Sequence, residues 1–80
     1  MPMTARELVT CLNQVKATLK DGGDHPELAA KLSKVTEQLK ATWSTEQLKE
    51  AIASDAEVPS GLEEAVTTLR MAWMQARGGS

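Results

Sequence analysis

The sequence predicts an all-α protein: a small antiparallel helical bundle of three to four helices, with a hairpin of helices 1 and 2 completed by a short helix 3 and an amphipathic helix 4. Three observations predict it. Apolar residues recur at four-three-four spacing, as in Leu8, Leu12, Val15 and Leu19, which places them along one stripe of an α-helix. Cap-forming residues precede each stripe, with a Glu or Gln three positions later: Thr4 with Glu7, Asp24 with Glu27, Ser44 with Gln47 and Ser60 with Glu63. No segment shows the strict alternation of a strand.

The first three starts lie 20 residues apart, so the chain reads as a repeat. Leu8, Leu28 and Leu48 correspond, as do Leu12, Leu32 and Ile52; Val15 matches Val35, and Leu19 matches Leu39. Helix 1 is expected over about residues 5–20, stopped by a φ > 0 turn at Asp21-Gly22-Gly23. Helix 2, about 25–41, has Pro26 in its first turn, where a missing N–H costs nothing. So short a link makes helices 1 and 2 antiparallel neighbours. Extending the helix 2 stripe past Leu39 would bury Thr42, Glu46 and Lys49, so a break near Ser44 is expected, followed by helix 3 over 45–54. Val58-Pro59 marks the next boundary, because Pro disfavours helical geometry in the residue before it. Helix 4, about 61–77, carries Leu62, Val66, Leu69 and Trp73 on its stripe. A single domain over 1–77 is expected, with Gly78-Gly79-Ser80 as a linker-like tail.

Composition narrows the function. Nine Leu, five Val and one Ile, with two Trp, four Met and no Phe or Tyr, make a thin aliphatic core in 80 residues. A core of this size supplies roughly 3–5 kcal/mol, so burying more surface against a partner or a second copy is a natural gain. A net charge of −2 lacks the basic excess that a phosphate backbone requires, and helix 3 as a recognition helix would point Glu46 and Glu50 at phosphates, so no nucleic acid is expected. All six acids of residues 41–80 fall between Glu46 and Glu64, opposed there only by Lys49. The polar faces carry no cationic strip and no apolar run reaches spanning length, which argues against membrane docking or insertion. A single cysteine, Cys11, and no apolar leader fit a reducing, cytoplasmic setting.

Candidate chemistry is sparse. His25 is the only histidine, so one chain cannot assemble a histidine pair, and it is expected on the surface of the first turn of helix 2. Cys11 flanks the helix 1 stripe and is expected to be buried as a small hydrophobe. Glu63 and Glu64 lie in a first turn, where negative charge complements the helix N-terminus. No catalytic, cofactor-binding or metal-binding residue is assigned, and no small-molecule substrate is expected.

Met71 and Met74 stand off the helix 4 stripe, where a solvated helix should be polar. Either they pack against helix 3, or they form an exposed, polarizable patch that accepts an apolar partner helix. Trp43 is expected to seal one end of the bundle or to rim the same groove. The reading is a non-enzymatic protein-protein interaction module, in the manner of an adaptor, docking domain, chaperone-like protein or inhibitor. Its partner is another protein or itself, engaged through Met71, Met74, Trp73, Trp43, Glu63 and Glu64. The alternatives are a structural oligomerisation module, natural or designed, and, less simply, a ligand-binding or catalytic bundle with Trp43, Trp73 and His25 around an internal pocket.

Overall fold

A computed structural model describes residues 2–21 and 24–78. Four helices follow in order, α1 (Ala5–Lys20), α2 (Pro26–Thr42), α3 (Thr45–Ser54) and α4 (Ser60–Gly78). The all-α bundle is as the periodicity predicts, and every helix begins and ends within one residue of its expected bounds. α4 runs on through Gly78, the first residue of the expected tail. The expected turn at Gly22-Gly23 lies outside the described residues; Asp21, just before it, keeps right-handed helical geometry.

The apolar stripes meet in one core. α1 contributes Ala5, Leu8, Cys11, Leu12 and Val15, α2 contributes Leu28, Val35 and Leu39, and α4 contributes Leu62, Val66 and Leu69. Met3 and Val58 extend the core beyond the helices. The most extensive packing joins α2 to α4, ahead of the seam between the antiparallel neighbours α1 and α2. The reason lies in α4, whose inner face is flanked by Ala65, Ala72 and Ala76, small side chains that let α2 approach along most of its length. The two helices run antiparallel: Lys34, Val35 and Gln38 face Gly61 and Glu64, whereas His25 and Pro26 face Ala72 and Ala76.

α1 runs parallel to α4. At one end the extended residues before α1 pair with the α3–α4 link, through an antiparallel bridge between Thr4 and Glu57 and bonds from the Val58 N–H to the Met3 carbonyl (2.8 Å) and from the Ala5 N–H to the Ala56 carbonyl (2.8 Å). At the other end the Trp73 indole N–H donates to the Thr18 hydroxyl at 2.7 Å. α3 is the loosest element: it packs on α1, fully buries only Ala51, and leaves Leu48 and Ile52 half-buried.

Capping departs from the sequence expectation at three of four starts. Only Ser44 with Gln47 forms the reciprocal box, with the Gln47 N–H donating to Ser44 Oγ (3.2 Å) and the Ser44 N–H to Gln47 Oε1 (2.9 Å). Thr4 occupies the cap position of α1 without a side-chain cap bond, its backbone being held by the bridge to Glu57. His25, and not Asp24, stands at the cap position of α2, without a side-chain cap bond, because Pro26 takes the first helical position. α4 starts one residue early, with Glu63 N–H bonded to the Pro59 carbonyl (2.8 Å), which places Ser60 inside the helix.

Candidate protein interaction surface

On a helix each residue advances about 100°, so Met71 lies about 200° and Met74 about 140° from the buried Leu69, on the side away from the core. Both are 58% exposed and are the exposed large hydrophobic residues among those described. Of the two alternatives, packing on helix 3 is not the one observed, since α3 lies against α1. Spaced three apart, the two side chains are neighbours on one face of α4.

Met71 also lines a groove of about 590 Å³ between the start of α2 and the end of α4, together with Leu28 and His25. A second open groove, about 610 Å³, continues toward the other end and is lined by Lys31 and Lys34 on one bank and by Glu63 and Glu64 on the other. Glu63 is half-buried and Glu64 exposed.

The two tryptophans do not join this surface. Trp73 is turned toward α1 by its bond to Thr18, whose own hydroxyl donates to the Gln14 carbonyl at 3.0 Å, and the Arg77 guanidinium covers the outer face of the indole at 4.7 Å from the ring centre. Trp43 follows the last turn of α2 in extended geometry and packs half-buried on the core at that end, the sealing position. His25 stands at the opposite end of the same helix. Trp43, Trp73 and His25 therefore do not surround one pocket, and the ligand-binding alternative loses its geometric basis.

A group that sequence reasoning missed is Arg6. Its guanidinium donates to the Ile52 carbonyl (Nε, 3.1 Å) and to the Ala53 carbonyl (3.3 Å), satisfying acceptors at the end of α3 where a cation complements the helix C-terminus. Its backbone N–H reaches Asp55 Oδ1 at 3.4 Å. Asp55 adopts left-handed geometry (φ 53°) and closes α3 in the role usually taken by glycine. These partners are 46 to 49 residues apart in sequence, beyond the reach of any local pattern.

Cys11 is 2% exposed, as expected of a small apolar side chain. Burial holds its thiol above the ordinary range, outweighing the opposite influence of the nearby Arg70 charge. Among the described residues no three of His, Cys, Asp and Glu gather as a metal site, and no helix is long and apolar enough to cross a membrane. The chain matches no protein-family model, no curated protein and no solved structure.

Proposed function

We propose that this protein is a non-enzymatic interaction module that docks an apolar protein surface on the outer face of α4. The observation that carries the reading is the exposure of Met71 and Met74, 58% each, on a helix whose opposite face buries Leu62, Val66 and Leu69. Unbranched, polarizable methionines adapt to varied apolar side chains without fixed geometry, the property a docking face needs. Glu63 and Glu64 flank that face toward the N-terminus of α4 and favour a partner with basic residues beside its apolar stripe. The two tryptophans act as internal supports that hold α4 against α1 and close the end of α2. A reducing compartment such as the cytoplasm suits the buried free thiol of Cys11.

The test uses the chain labelled at the methionine ε-methyl groups and titrated with a synthetic amphipathic Leu/Lys helical peptide. Binding is expected to shift the Met71 and Met74 methyl signals and leave that of the buried Met3 in place. Met71→Gln with Met74→Gln should abolish the response without loss of helical circular dichroism. Shifts confined to other sites, or binding unchanged in the double variant, would refute this placement.

A further inference from the structure

A helix start leaves N–H groups unsatisfied and a helix end leaves carbonyls unsatisfied. α1 begins without a side-chain cap of its own, and α3 ends on Asp55 in place of a glycine. The two ends supply one another. The Asp55 carboxylate, just past α3, accepts the Arg6 N–H in the first turn of α1 at 3.4 Å, the bond an N-cap side chain would otherwise make. In return the Arg6 guanidinium donates to the Ile52 and Ala53 carbonyls at the end of α3 (3.1 and 3.3 Å). Both side chains are exposed, so water competes for each of these bonds. Asp55 also holds left-handed geometry (φ 53°), which is unfavourable for a residue with a side chain and only tolerated by Asp.

The segment that this joint holds in place is anchored on both sides. Trp43 packs half-buried on the core and its N–H bonds the Leu39 carbonyl (2.9 Å), while Val58, 5% exposed, donates to the Met3 carbonyl (2.8 Å). Between these anchors, residues 44–57 fully bury one side chain, Ala51. α3 packs chiefly on α1 and takes no part in the extensive α2–α4 contact. We infer that α3 is a flap, tethered at Trp43 and Val58 and held shut by the reciprocal latch of Arg6 and Asp55, which opens while α1, α2 and α4 stay packed. Opening exposes Ala51 together with Leu48 and Ile52, which lie four apart on one face of α3, and bares the part of α1 beside Arg6. The Met71/Met74 face lies on α4, so the flap and that face are separate properties of the molecule.

Thiol labelling tests this, with Cys11 reporting on the core and a second thiol placed under the flap by Ala51→Cys. Cys11 is 2% exposed, so it reacts only when the core opens. The introduced thiol is expected to react at least about tenfold faster than Cys11. Its rate should change little at low urea, because opening α3 uncovers little surface, whereas the Cys11 rate should climb steeply. Arg6→Ala and Asp55→Ala should each speed labelling of the introduced thiol about tenfold. Asp55→Asn, which keeps an acceptor and tolerates left-handed geometry, should leave it near the starting rate. One rate and one urea slope for both thiols would overturn the flap, because α3 would then open only with the whole molecule. A labelling rate indifferent to both Arg6→Ala and Asp55→Ala would overturn the latch. Amide exchange of Leu48 and Val66 in rising urea makes the same comparison in the unsubstituted chain, and equal urea slopes there would overturn the flap even if Ala51→Cys failed to fold.

Discussion

At the scale of single residues, side chains that look equivalent in sequence do different work because of what stands opposite them. Cys11 and Met71 are both sulfur-bearing residues of long helices, yet one is sealed in the core and the other faces outward. The raised thiol pKa of Cys11 has a definite linkage sign. The unfolded chain ionises near the ordinary value, about 8.5, while the folded protein holds the proton, so this stabilisation is intact below that pH and is lost as pH rises beyond it. Denaturation midpoints should therefore fall between pH 8 and 10 (about 2 units spanning that ordinary value), and Cys11→Ala should remove that part of the decline. Trp73 also has a partner the sequence does not name. Replacing it with Phe keeps an aromatic side chain, though a smaller one, and deletes the N–H that bonds Thr18, so urea denaturation should show a loss of about 1 kcal/mol or more.

At the scale of elements, helix starts separate local from tertiary control. Ser44 and Gln47 interact within one turn, and no other element competes for their backbone, so the box predicted from sequence forms. Ser44→Ala should cost about 1 kcal/mol in thermal or chemical unfolding. Asp24→Ala, at a start whose predicted box is not made, should change stability by less than about 0.5 kcal/mol. α3 shows the opposite dependence. Ten residues are too few for an independent helix, and this one buries little, so its order rests on its contacts with α1 and on Arg6. Arg6→Ala should accelerate amide hydrogen exchange in α3 well before it affects α2 or α4; uniform acceleration across all four helices would show that α3 has no separate opening step.

At the scale of the molecule, a core of fourteen buried, mostly aliphatic side chains among the described residues carries the fold, with Leu8, Val15, Val66 and Leu69 at 0% exposure near its centre. Stabilities of about 0.05–0.15 kcal/mol per residue leave a chain of this size a small margin. Leu69→Ala, which removes a fully buried side chain at the meeting of the long helices, should cost about 2–5 kcal/mol and lower Tm by many degrees, whereas Met71→Ala on the outer face should lower it little. That contrast in thermal melts separates the face that builds the molecule from the outward face of α4.

The all-α class, the four helices with their approximate bounds and the burial of Cys11 were legible in the sequence, as was the position of Met71 and Met74 off the buried stripe, but not whether helix 3 covers them. Each follows from helical periodicity or from turn chemistry, which act within a few residues. Tertiary structure alone decided that α4 packs chiefly on α2, that Trp73 turns to Thr18 and away from the methionine face, and that Arg6 clasps the end of α3. Those outcomes depend on which stripes meet and in which direction the helices run, and a stripe of Leu and Val carries the same pattern whatever apolar face it is about to cover.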